Sequence, residues 1–276
     1  MLGKLLKYEW RSSWRVIAAM NCFLILVTLL GIFSFRSTII QSDNQALNIL
    51  GVLTLIFYYL SIVVISVAVL IYMALRFYRN LYGDEGYLMH TLPVTASQHI
   101  ISKILVAVGS YLVTLIVIIL SVFSLAFSLF SAIDPTVDIS GEISKGWEAV
   151  LPAIREAINM PLWLYFTLFA IGCVISLFSS VLMIYASISI GQMFVKHKVM
   201  GSILAYIGIY ILEQTVMSYI ALPQSISSMV NNTSEEMSLS AVLNSSFLSS
   251  FIISAIFGVG FYIVTLVLMK KKLNMD

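Results

Sequence analysis

The run LNILGVLTLIFYYLSIVVISVAVLIYMAL, residues 47–75, contains no charged side chain. An α-helix rises about 1.5 Å per residue, so some twenty such residues cross a hydrocarbon core of about 30 Å. Comparable runs recur, and they predict six spans at about 16–35, 47–75, 100–130, 161–194, 199–222 and 247–269. The second, third and fourth are longer than a bilayer needs, so they must tilt or continue as helix beyond it. Composition agrees. The chain has 276 residues, 60% hydrophobic and 10% charged, with a mean hydropathy of +1.01. A soluble domain is about 25% charged. The fold class read from this is an all-α polytopic membrane protein of six transmembrane helices, one transmembrane domain over 1–276. A net charge of +2 gives no reason to expect a nucleic-acid partner; the lipid bilayer is the partner that composition demands.

Where the charges fall sets the orientation. Lys4, Lys7, Arg11 and Arg15 precede the first span. Arg76, Arg79 and Lys103 flank the loop after the second, Lys196 and Lys198 follow the fourth, and Lys270, Lys271 and Lys272 follow the sixth. With six spans these regions share one side. The opposite loops hold Asp43, then Asp134, Asp138, Glu142, Glu148 and Glu156, then Glu235 and Glu236. Lysine and arginine accumulate on the cytoplasmic side, so both termini are expected there. Residues 131–160 and 223–246 are expected to form extracellular loops. In the first, Ile143, Trp147, Val150, Leu151, Ile154 and Ile158 approximate one helical face, interrupted by Pro152. Packed on the span ends, such a helix would act as a lid. The second, rich in Ser and Asn, reads as irregular.

Two cytoplasmic segments stand out. In residues 1–15, MLGKLLKYEWRSSWR, the four basic residues share one helical face, and Leu2, Leu6, Trp10 and Trp14 form an adjacent stripe. Tryptophan beside basic residues suits the headgroup layer. Lys4, Lys7, Trp10, Arg11, Trp14 and Arg15 are therefore candidates for an interfacial elbow helix, with the ordinary basic flank of a first span as the equal alternative. Between spans two and three lies LYGDEGYLMHTLPVTASQHIISK, residues 81–103. Gly83 permits a sharp turn. Asp84 and Glu85 suit the start of a short helix, which Pro93 ends. Thr95 with Gln98 three residues later fits a capping box opening span three.

Catalytic and metal motifs are missing from the sequence. There is no G-x-x-x-x-G-K-[ST] phosphate loop, no H-E-x-x-H and no Cys/His cluster at metal spacing, so no catalytic and no metal-ligating residues are assigned. Cys22 and Cys173 lie within apolar runs and read as small buried residues. His90, His99 and His197 read as solvated or contact histidines. Gln192, Gln214, Tyr58, Tyr59, Tyr111, Tyr185, Tyr206 and Tyr210 are open between a partner-bonded and a cavity-lining place, tyrosines near span ends being normally interfacial anchors. Glu213 is the one acid inside a span. It is either a snorkelling or partner-bonded carboxylate or, with Gln214 and Tyr210, part of a substrate path.

The run L-Y-G-D-E-G-Y-L-M-H-T-L-P-V, followed by a polar segment and S-K-I-L, resembles the first cytoplasmic loop of bacterial ABC-2-type permease subunits. These are the membrane halves of ATP-driven exporters. Six spans, cytoplasmic termini, an N-terminal elbow helix and a cytoplasmic first loop match the family over essentially the whole chain. The resemblance implies a coupling loop over 76–99 whose short coupling helix docks on a separate ATP-binding cassette subunit. By position, the docking residues would be Gly83, Asp84, Glu85, Gly86, Tyr87, Leu88, Met89 and His90. It implies that ATP and Mg are held by the partner ATPase and that this chain binds no cofactor. It also implies a second permease subunit, identical or related, and a place in the bacterial cell (inner, cytoplasmic) membrane. Spans two and three would act as rigid levers. The family places short re-entrant helices between spans five and six, where residues 223–244 lie. The expected function is transport of an amphipathic peptide, lipid or drug by an ATP-driven exporter. A secondary active transporter driven by an ion gradient is the alternative; it would need ionisable sites near the midplane, and only Glu213 qualifies. An intramembrane enzyme would show activity from the purified chain alone. An assembly or signalling anchor would show no substrate-dependent ATPase activity.

Overall fold

A computed structural model describes residues 2–36, 45–83, 94–133, 139–157, 161–194, 197–231 and 239–272. The described residues form helices α1 (Leu2–Arg36), α2 (Gln45–Tyr82), α3 (Ala96–Ile133), α4 (Ile139–Ala157), α5 (Leu162–Gly191), α6 (Lys198–Asn231) and α7 (Leu239–Lys272). All but α4 are long and apolar enough to cross a membrane. The chain is thus an all-helical, multi-pass membrane protein. The segment expected as a separate elbow, residues 1–15, is continuous with the first span: α1 is one helix of 35 residues. With 38 residues each, α2 and α3 reach about 57 Å, well beyond the hydrocarbon thickness.

The chain divides into two compact units, Met1–Arg76 with Leu105–Gly146 and Phe77–Ile104 with Trp147–Asp276. In the first unit, α1 buries Glu9, Ser13, Ile17, Asn21, Leu24, Thr28 and Gly31. These positions are three or four apart, the spacing of one helical face. Leu24 packs with Ile65 and Val69 of α2, with Met20, Tyr111, Val117 and Ile118 around them. One to two turns on, Val27 packs with Tyr58 and Leu125. The opposite face of α1 is as apolar as the core: Leu26, Leu29, Leu30 and Phe33 are exposed. Such a helix is built for lipid. With hydrocarbon outside, burial of apolar groups cannot discriminate faces, and small polar residues mark the interior instead. Asn21 Nδ2 donates to Thr114 Oγ1 at 3.2 Å, the Tyr58 and Ser121 hydroxyls bond at 2.8 Å, and Ser128 Oγ donates to the Ile32 carbonyl at 3.4 Å. Bonds of this kind contribute about 0.6 kcal/mol each in a membrane bundle.

In the second unit α5 is the central helix, packed on both α6 and α7, which also meet each other. Pro161 precedes it with φ −58°; its missing N–H is one that a helix start leaves unpaired anyway. Almost every residue from Val181 to Gln192 is buried. Glycines allow the close approaches: Gly172 faces the Phe251 ring, Gly258 lies against Ser179, and Gly191 against Ser202.

Several expectations are corrected. Cys22 is exposed and Cys173 half-buried, both free; a small apolar thiol is as comfortable facing lipid as facing the core. Tyr58 and Tyr185 are buried core residues, whereas Tyr59 is 70% exposed; a phenol can enter the interior because Ser121 and the Lys103 carbonyl satisfy its hydroxyl. The stretch 223–244, expected to be irregular, is helical wherever it is described, α6 continuing to Asn231 and α7 beginning at Leu239. Separate short helices do not occur among its described residues. Ser and Asn disfavour a helix interior only weakly, and long apolar neighbours override that. The helix expected in 131–160 is present as α4, with Pro152 inside it. Trp147 and Val150 on its apolar face are exposed.

Candidate functional site

The resemblance points to the loop between α2 and α3, and the structure describes how both its ends are held. Helix α2 ends where the Gly83 N–H bonds to the Tyr78 and Arg79 carbonyls, both at 3.2 Å. One residue earlier, Tyr82 Oη donates to Ser189 Oγ of α5 at 2.9 Å. Phe77 stacks face to face on Tyr185, ring centroids 3.8 Å apart and planes 7° apart. Leu81 is also buried. Asp84, Glu85, Gly86, Tyr87, Leu88, Met89 and His90, and the short helix expected there, lie outside the described residues.

The chain re-enters at Val94, and the capping box is formed. Gln98 N–H reaches Thr95 Oγ1, and Thr95 N–H reaches Gln98 Oε1, each at 3.4 Å. The N–H groups of Gln98 and His99 also bond to the Thr95 carbonyl at 3.0 and 3.2 Å. Ser97 and Tyr262 of α7 share a hydroxyl bond of 2.6 Å. One turn further, His99, Ser102 and Lys103 are all buried. Ser102 Oγ donates to the His99 carbonyl at 2.9 Å, and Tyr185 Oη to the Lys103 carbonyl at 3.3 Å. Of the two readings for His99, solvated or in contact, burial leaves the second: it is 1% exposed. It occupies an inward position of α3 next to Ile100 and is enclosed by packing. His197, by contrast, is exposed.

Tyr82 and Ser97, on either side of residues 84–93, are thus held to α5 and α7 by part-buried hydrogen bonds. Thr95→Ala is expected to destabilise the start of α3 by about 1 kcal/mol. Hydrogen exchange should show faster loss of protection at residues 96–99 with the rest of α3 unchanged.

A second polar centre lies within the first unit. Arg76 Nη2 and Nε donate to Glu9 Oε2 at 2.7 and 3.1 Å, and Nη2 also to the Glu9 carbonyl at 3.0 Å. Nη1 reaches Tyr72 Oη at 3.4 Å. The two side chains are 14% and 6% exposed. Reading residues 1–15 as a basic segment missed Glu9. The signal was there: Glu9, Ser13, Ile17 and Asn21 are four apart, so the acid falls on the core stripe of α1. Arg76, read as a loop charge, is a half-buried member of α2 committed to this pair.

The other sequence candidates are dispersed. Lys4, Lys7, Arg11, Trp14 and Arg15 lie along α1, with Trp10 partly buried and stacked on Trp14. On α6, Tyr206, Tyr210 and Glu213 share one face at spacings of four and three. Glu213 is half-buried, Gln214 and Tyr210 exposed, and the Tyr206 and Tyr210 rings lie 6.4 Å apart. No cluster of metal-ligating side chains occurs among the described residues. Comparison of the chain with models of protein families, with curated proteins and with solved structures gives no match in any of the three.

Proposed function

We propose that this chain is the membrane-spanning subunit of an ATP-driven exporter of the ABC-2 type, working with a separate ATP-binding cassette subunit and a second permease subunit, identical or related. The observation that carries the reading is the anchoring of the 84–93 loop at both ends. A segment that receives a push must be tied to the helices it moves. Tyr82–Ser189 ties its start to α5, and Ser97–Tyr262 ties its end to α7. A docked partner that displaced the loop would load both helices through short hydrogen bonds and the Phe77–Tyr185 stack. The resemblance of L-Y-G-D-E-G-Y-L-M-H-T-L-P-V to the family's coupling loop, and the basic residues flanking that loop, support the same orientation and role. ATP belongs to the partner in this reading, and the cargo is an amphipathic peptide, lipid or drug.

Replacing Glu85 and Tyr87 together with alanine should sharply reduce co-purification of the ATPase or uncouple its ATP hydrolysis from transport. Normal association and normal coupling in the double variant would remove the docking role. The ion-driven alternative rests on Glu213 alone. It predicts transport by the reconstituted chain without any ATPase, lost in Glu213→Gln.

A further inference from the structure

A groove of about 830 Å³ runs along the first four turns of α1 in the first unit. Lys7, Arg11 and Arg15 line one side, four residues apart and so within an arc of about 80°. Leu6, Trp10, Trp14 and Leu105 of α3 line the other. The two indoles stack at 6.0 Å, their planes 28° apart. Gly109 of α3 shapes the groove: a Cβ there would stand 3.0 Å from the Trp10 ring, so a glycine lets the indole lie against α3.

Among the described residues the charge on this face is uncompensated. Glu9, the one acid among residues 1–15, is turned into the core and bonded to Arg76. No acidic side chain among the described residues pairs with Lys7, Arg11 or Arg15. Arginine and lysine cations both pair with phosphate oxygens, and indoles favour the headgroup level of a bilayer. Three aligned cations beside stacked indoles and aliphatic side chains, on a helix that continues as a membrane span, complement a ligand with an anionic head and an apolar tail.

We propose that this groove binds one anionic phospholipid, its phosphate held by Lys7, Arg11 and Arg15 and its glycerol and upper acyl chains lying on Trp10, Trp14 and Leu105. The lipid steadies the end of α1. The assignment is independent of the exporter reading and holds for any multi-pass protein with this groove.

The test uses the full chain with Trp147 and Trp163 replaced by phenylalanine, reconstituted in vesicles with increasing brominated phosphatidylglycerol or brominated phosphatidylcholine. Quenching of Trp10 and Trp14 should reach its midpoint at a several-fold lower fraction of the anionic lipid. Each of K7Q, R11Q and R15Q should lower that preference about fivefold, and R11K/R15K should retain most of it, which separates lost binding from lost folding. K4Q should leave it unchanged, because Lys4 is exposed but does not line the groove. Millimolar inorganic phosphate should not compete. Equal quenching by both lipids, or preference surviving in the K7Q/R11Q/R15Q variant, would overturn the site. So would a K4Q loss as large as that of R11Q, which would mean diffuse surface attraction, and so would competition by free phosphate.

Discussion

Arg76→Ala should destabilise the chain by about 3–5 kcal/mol. The substitution leaves the Glu9 carboxylate buried without its cation. The Arg76 guanidinium supplies three hydrogen bonds to Glu9, two to Oε2 and one to the main-chain oxygen, and alanine replaces none of them. The cost therefore measures an orphaned charge more than the worth of the pair itself. That distinction is testable. Glu9→Leu with Arg76→Met removes both charges while keeping apolar volume, and it should recover most of the lost stability. The measurement is thermal unfolding of the purified chain in detergent, run as a double-mutant cycle. If the double variant melts as low as Arg76→Ala, the pair holds α1 and α2 by geometry rather than by mutual charge neutralisation, and this account fails. Arg76→Ala should also raise hydrogen exchange in α1 around Glu9 before the spans open.

Gly191→Ala comes second, at about 1–3 kcal/mol. A Cβ at this position would stand 2.5 Å from Ser202 N and 2.6 Å from Ser202 Cα of α6. Those are backbone atoms, so no rotamer change relieves the overlap and the helix itself must move. The matched control is Gly208→Ala on the same α6, where nothing lies within 4 Å of the added Cβ. There the removal of a flexible residue from a helix should be neutral or stabilising by up to about 1 kcal/mol. Opposite signs for the two substitutions in the same melting assay are expected; equal effects would mean that α5 and α6 do not approach closely at Gly191.

The capping box at Thr95 and Gln98 was legible because it is local: four residues, two side chains and a fixed spacing decide it. The six spans were legible for a similar reason, since length and hydropathy are read along the chain and need no partner. The site residues fared differently. Glu9 and Arg76 are separated by 67 positions, and neither position alone says that the other will satisfy it. The partners of Tyr82 and Ser97, Ser189 on α5 and Tyr262 on α7, are more than a hundred positions away. The tyrosines could not be told apart from sequence. Tyr58 and Tyr59 are adjacent and chemically identical, yet one is bonded to Ser121 in the core and the other faces outward. Facing direction in a membrane helix cannot be recovered from hydropathy when lipid and interior are equally apolar.

Contiguous residues were therefore enough to specify a helical chain, its six segments able to cross a bilayer, and the start of the third. Transfer of apolar groups out of water and the capping of a helix end both act over neighbouring positions. The folded arrangement was needed to show which helix faces meet, that Glu9 and Arg76 share one site, and that Tyr82 and Ser97 are bonded to α5 and α7. Those outcomes depend on close packing and hydrogen bonding between residues distant in the chain, where small residues permit approach and polar side chains must find each other away from water.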